Sequence, residues 1–216
     1  MSNQTLTEQL EAATKQFKAN SPIEAQIKIG QMIEELQKSG IASGKQQGEK
    51  AVDFKLTNAL GQDVILFDEL AKGPVVLVFY RGGWCPFCNM QLRAYQRLLP
   101  EIHAVGAQLI AISPQKPDHS LSLQEKEGLE FQVLSDPSGL VTAKYNLLFD
   151  VPQGVRELME GIGVDLTEYN NTSKWILPVP ATFMIDESAI IRSAYVNPNF
   201  MQRQSPEEIL RELKKL

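Results

Sequence analysis

The amino-acid sequence predicts an α/β fold with a partly parallel sheet. Three observations lead there. The run PVVLVFY, residues 74–80, is apolar without alternation, as in a strand buried on both faces. From about residue 53 onward, strand-like and helix-like stretches alternate, the pattern of sheets whose strands are joined by crossover helices. Two cysteines, Cys85 and Cys88, fall just after the apolar run, where a strand gives way to a helix.

The first forty residues read as two amphipathic helices. Leu6, Leu10, Ala13 and Phe17 form one stripe, and Ile29, Met32, Ile33 and Leu36 a second. Thr5 with Glu8, and Ser21 with Glu24, have capping-box spacing, with Pro22 at the first helical position of the second helix. The stripes must bury against something: this chain's own domain or a second copy in a homo-oligomer. Residues 39–50, rich in Gly, Ser and Lys, read as a linker. The expected division is an N-terminal helical extension and linker, 1–47, and one domain, 48–216.

Within that domain, residues 53–66 suggest a hairpin turning near Gly61. After the 74–80 strand comes a helix from about Cys85 to Val105. Residues 108–113 are a second buried strand, 117–128 its return helix, 131–136 a third strand, and SGLVTAKYNL a short helix. Residues 181–186 and 190–196 form a hairpin around Glu187-Ser188-Ala189. A last helix starts with Ser205 as N-cap and Pro206 at its first position. Residues 150–178 fit the alternation poorly and read as an insertion.

A net charge of −5 without a basic run argues against nucleic acid and anionic membranes. No apolar run is long enough to span a bilayer. The opening MSNQTLTEQLEAATK has no apolar stretch of the kind a secretory signal carries, so a cytoplasmic setting is expected. In a reducing compartment a close cysteine pair reads as redox-active or metal-binding rather than as a staple. These are the only cysteines. A closed zinc site needs about four N/S ligands, and His103 and His119 lie far from the pair in sequence. Inert buried cysteines suit a strand–turn–CxxC arrangement poorly.

Cys88, Leu92, Tyr95, Leu99 and Ile102 form the apolar stripe of the helix, so Cys88 faces inward. Cys85, one turn earlier, is expected exposed at the helix start. Free N–H groups there carry partial positive charge and stabilise a thiolate, the reactive form. Sulfurs at this spacing can meet as a disulfide. The pair therefore reads as a dithiol–disulfide centre.

FYRGGWCPFC, the later VPATFMID and the opening GEKAVDFKL together resemble the thioredoxin-fold superfamily. They are most similar to its alkyl hydroperoxide reductase/thiol-specific antioxidant (AhpC/TSA), or peroxiredoxin-like, branch over about residues 48–216. The resemblance implies a thioredoxin-like, peroxiredoxin-type three-layer α/β/α fold carrying the N-terminal helical extension. It also sets two patterns against each other. Family position puts Cys88 where peroxiredoxins have the peroxide-attacking cysteine, with Cys85 replacing a Thr and Arg81 a Pro. Trp84-Cys85-Pro86-Phe87-Cys88 resembles instead the thioredoxin motif, whose first cysteine attacks. Where peroxiredoxins commonly carry an Arg that holds the thiolate, this chain has Pro180, which matches the thioredoxin cis-proline. That likeness implies a cis-Pro180 that presents the Val179 backbone to an extended substrate.

The expected activity is reduction of hydroperoxides through a Cys85–Cys88 dithiol/disulfide cycle, reopened by a thioredoxin- or glutathione-type thiol donor, with no metal or organic cofactor. Exposure favours Cys85 as nucleophile and family position favours Cys88; the residues by themselves favour Cys85. Trp84, Val179 and Pro180 are the expected substrate-binding residues. The alternatives are a protein disulfide reductase and a non-enzymatic redox-sensing or partner-binding module.

Overall fold

A computed structural model describes residues 4–216. The chain runs through α1 (Leu6–Asn20), α2 (Ile23–Ser39), the strands β1 (Lys55–Asn58) and β2 (Asp63–Ile65), α3 (Leu66–Leu70), β3 (Val75–Phe79), α4 (Pro86–Ala104), β4 (Gln108–Ser113), α5 (Pro117–Glu127), β5 (Gln132–Ser135) and α6 (Leu140–Lys144). It continues through β6 (Leu148–Asp150), α7 (Gln153–Gly161), α8 (Leu166–Asn170), β7 (Ile176–Pro178), β8 (Ala181–Ile185), β9 (Ile191–Val196) and α9 (Pro206–Leu213).

Among the described residues a seven-stranded sheet has the order β2-β1-β5-β4-β3-β8-β9. β3, β4 and β5 run parallel, and β1, β2, β8 and β9 join antiparallel. Every residue of β3 is buried, because β4 and β8 flank it and helices cover the sheet. The unalternating apolar run thus meets its expected setting. The 53–66 hairpin turns at Gly61, where φ is +79°, and the β8–β9 hairpin pairs Ile185 with Ile191.

The helix signals hold with one exception. Thr5 with Glu8 and Ser205 with Glu208 close capping boxes. Ser21 and Glu24 do not: Pro22 itself occupies the N-cap, one residue later than the spacing implied, and Glu24 pairs with Lys28 at 2.8 Å. A proline at the cap has no side-chain oxygen to offer the first N–H groups.

The extension does not stand apart. α1 packs on α4 and α2 on α7, and Leu6, Leu10, Met32 and Leu36 join the same hydrophobic core as the sheet. Its apolar stripes are therefore satisfied within the chain. The 39–50 stretch is tied down rather than loose: Gly44 N–H donates to Asn146 O at 2.8 Å, Lys45 N–H to Tyr145 O at 3.1 Å, and Gly48 N–H to Ile191 O at 2.8 Å. The 150–178 segment also has structure. β6 and β7 pair as a separate antiparallel ribbon, and α7 and α8 lie between them in the chain. No described helix is long and apolar enough to cross a membrane.

Candidate active site

The site begins where β3 ends. Tyr80 N–H extends the ladder to Ile112 O at 3.0 Å, and the chain then turns through Arg81-Gly82-Gly83-Trp84. Gly82 has φ +145°, and a Cβ there would lie 2.5 Å from Trp84 Nε1, so the turn requires glycine. Cys85 N–H closes it on Gly82 O at 3.1 Å. Two outside groups fix it further: Gly83 N–H donates to Gln115 Oε1 and Asn89 Nδ2 donates to Gly83 O, both at 2.8 Å.

Cys85 is the N-cap of α4 and Pro86 its first residue, where no N–H is missed. Cys88 and Asn89 N–H groups both donate to Cys85 O at 3.1 Å. Cys88, Leu92, Tyr95, Leu99 and Ile102 are all buried, as their spacing requires. Cys85 is not exposed, however. It retains 1% of its surface and Cys88 none. A cavity of about 530 Å³ lies over Cys85, walled by α1, α2 and α7, elements whose placement there no local signal marks. Position at a helix start implies exposure only if nothing else covers that end.

Neither sulfur is in a disulfide. Burial opposes charge on Cys88, but a hydrogen bond from the Cys85 thiol, the charges of Arg203 and Arg81, and the Arg81 backbone N–H outweigh it and lower its pKa to about 5. Burial pushes the Cys85 thiol well up, and the proton it shares with Cys88 pushes it further. The pair thus holds one proton on Cys85 and a thiolate at Cys88.

The decisive cation comes from the far end of the chain. Arg203 Nη2 donates to Cys88 Sγ at 3.3 Å. Its Nε donates to Gln91 Oε1 at 2.7 Å, and its Nη1 to the carbonyls of Phe200 and of Gln202, the latter at 2.7 Å. Gln91 Nε2 in turn donates to Tyr95 OH at 3.1 Å, and Tyr95 OH to Gln204 O at 2.9 Å. Cys88, Gln91 and Tyr95 sit at i, i+3 and i+7, so one face of α4 grips the 197–204 loop. Arg81 completes the enclosure. Its guanidinium lies 4.0 Å from the Phe200 ring centre and 4.9 Å from that of Trp84, and Phe200 packs edge-on against Phe87.

Of the residues expected to bind substrate, Trp84 lines the cavity, half-buried. At Val179 and Pro180 the expected cis bond is not found. No cis peptide bond occurs among the described residues, Val179 is fully buried, and its N–H is already given to Leu147 O at 2.8 Å. That hydrogen bond continues the β6–β7 ribbon by one residue on each strand. His119 stacks on Tyr169 at 4.6 Å, and no cluster of three metal-binding side chains occurs among the described residues. Arg203, Gln91 and Phe200 escaped the sequence reading. The only signal was an arginine just before the N-cap of the last helix, in a polar loop with no motif.

A mixed sheet with a buried dithiol at the strand-to-helix turn defines a thioredoxin-like thiol oxidoreductase. The sequence profile of the AhpC/TSA family matches residues 47–194, and the chain belongs to that family. The Mycobacterium tuberculosis protein named "Putative peroxiredoxin Rv2521" is 28% identical over 152 residues, 69% of this chain and 84% of its own length. The thiol-disulfide oxidoreductase ResA of Geobacillus kaustophilus is 30% identical over 101 residues, 46% of this chain and 57% of ResA. In fold, the crystal structure of peroxidoxin BcpB from Mycobacterium tuberculosis superposes with a TM-score of 0.64 at 21% identity, covering 79% of this chain and 97% of that one. Arg203 lies outside the matched family region.

Proposed function

We propose that this protein is a thiol peroxidase in which Cys88 attacks the hydroperoxide and Cys85 resolves it. One observation carries the assignment of roles: the Arg203 guanidinium sits 3.3 Å from Cys88 Sγ, not from Cys85. The Cys88 thiolate attacks the terminal oxygen of ROOH. The O–O bond breaks, RO⁻ leaves and takes a proton from solvent to become ROH, and Cys88 becomes a sulfenic acid. Cys85 sulfur then displaces that hydroxyl as water and the Cys85–Cys88 disulfide forms. Two electrons return from an external thiol donor. Arg203 performs from the 197–204 loop the task that the arginine at the Pro180 position performs in related peroxiredoxins. Residues 48–216 carry this chemistry, the 1–47 extension covers it, and a reducing, cytoplasmic setting suits it.

The test is stopped-flow oxidation of the reduced protein by hydrogen peroxide and by an organic hydroperoxide. Wild type is expected to react orders of magnitude faster than a free thiol. Cys88→Ser abolishes the reaction, and Cys85→Ser retains the first step and stops at a sulfenic acid that dimedone traps. Free-thiol rates in wild type would reject the assignment.

The likeness to ResA and the Trp-Cys-Pro-Phe-Cys motif favour a second reading, reduction of protein disulfides. Against it stands the closed Val179–Pro180 stretch. Insulin reduction at rates well above a free dithiol would support this second reading.

A further inference from the structure

The two sulfurs meet different surroundings. The cavity of about 530 Å³ reaches Cys85 and not Cys88. A second space, about 510 Å³, reaches Arg203, the partner of Cys88. The walls of the two differ in chemistry. Around Arg203 the charged Glu11, Lys15 and Lys18 of α1 stand beside Leu10, Tyr195 and Met201, a mixed surround. Above Cys85 the walls are Phe17, Ile29, Val155, Leu158, Met159 and Ile162, almost wholly apolar. The volume above Cys85 falls within the ~300–1,000 Å³ of small-molecule sites.

Three features describe what fits above Cys85. The body must be apolar, since the walls offer few polar partners. At the rim Ile162 is 79% exposed, an apolar side chain left at the mouth of an apolar space. At the floor Arg81 lines the cavity beside Cys85, buried, with its Nε lacking a hydrogen-bond partner in the structure. In the reduced protein the Arg81 charge faces the Cys88 thiolate; once the disulfide forms that anion is gone, and the free Nε–H favours an anionic head. Glu157 in the same lining disfavours a ligand whose body carries carboxylates.

We infer that this cavity admits the reductant, a thiol carried on an apolar chain, whose thiolate is held by Arg81 and attacks Cys85 of the oxidised protein. The inference rests on the peroxidase reading above and names its electron donor by class. The balance is that of thiol–disulfide exchange. RS⁻ bonds to Cys85 Sγ, the Cys85–Cys88 bond breaks, and Cys88 leaves as a thiolate beside Arg203. A second thiol displaces R–S from Cys85, giving RSSR and the dithiol. Attack from this side makes the better-stabilised sulfur the leaving group, which speeds exchange.

The test uses disulfide made with diamide, so that it does not depend on any peroxide step. Reduction by dihydrolipoamide, an apolar dithiol, is compared with reduction by dithiothreitol and by glutathione, each normalised to its rate on a small reference disulfide. Dihydrolipoamide should lead by about tenfold or more, the factor expected from burying roughly two methylene groups. Ile162→Asp, at a site exposed enough to spare the fold, and Leu158→Asp should each collapse that lead. Acid-quenched intermediates, mapped by peptide fragmentation, should carry the mixed disulfide on Cys85. Equal normalised rates, a lead unmoved by both wall changes, or a mixed disulfide on Cys88 would each overturn the inference. Loss of peroxide oxidation with these results intact would instead reject the peroxidase reading alone.

Discussion

Arg203 and Cys88, 115 residues apart in sequence, meet at 3.3 Å in the interior. A hydrogen bond to a charged group contributes about 1.5–3 kcal/mol. Arg203→Gln should therefore slow peroxide oxidation at neutral pH by roughly 10- to 150-fold. Arg203→Lys should restore part of it, because the charge remains but the forked geometry held by Gln91 does not. Stopped-flow rates against peroxide concentration give both numbers.

The pH profile follows from the same contact. With the Cys88 pKa lowered to about 5, alkylation by iodoacetamide should stay nearly flat from pH 8 to 6 and fall by half near pH 5. Arg203→Gln should move that midpoint upward. For stability, the folded-state pKa lies below the ordinary thiol value of 9.0. The thiolate's contribution is thus fully present above about pH 9 and lost as pH falls through the folded value. Cys85, raised, has the opposite sign: its contribution is present below the ordinary value and lost at higher pH.

Tyr95 touches neither sulfur, yet it should tune one of them. Its hydroxyl donates to Gln204 O and receives from Gln91, which in turn orients Arg203. Tyr95→Phe leaves the Gln204 carbonyl without that donor and Gln91 Nε2 with only its longer contact to Thr182 Oγ1, at a cost of about 1–3 kcal/mol. Lower stability in urea should be accompanied by an upward shift of the Cys88 midpoint. A stability loss without that shift would show that the 197–204 loop holds Arg203 unaided.

Gly82 tests the turn. Alanine there must adopt φ near +145° and place a methyl 2.5 Å from Trp84 Nε1. Strain of this kind costs about 1–3 kcal/mol. Gly82→Ala should lower Tm by a few degrees to about ten and move Trp84, seen as changed fluorescence before any oxidant is added.

Local signals determined most of the fold. Val75 to Phe79 could only be a central strand, because an apolar run without alternation needs cover on both faces. The stripe from Cys88 to Ile102 placed one cysteine inward by periodicity alone, and Ser205 with Pro206 marked where the last helix starts. The cysteine pair was legible for the same reason: spacing of three at a strand-to-helix turn is a local fact.

What the tertiary structure decided is everything that depends on which distant segment covers which. Cys85 was legible as the start of a helix, but its burial depends on α2 and α7, about sixty residues before it and seventy after. The closed edge at Val179 depends on Leu147. The charge on Cys88 depends on a guanidinium brought back by the last loop. Burial and Coulomb energy act through space, and one sequence reveals them only where neighbours in space are also neighbours in the chain.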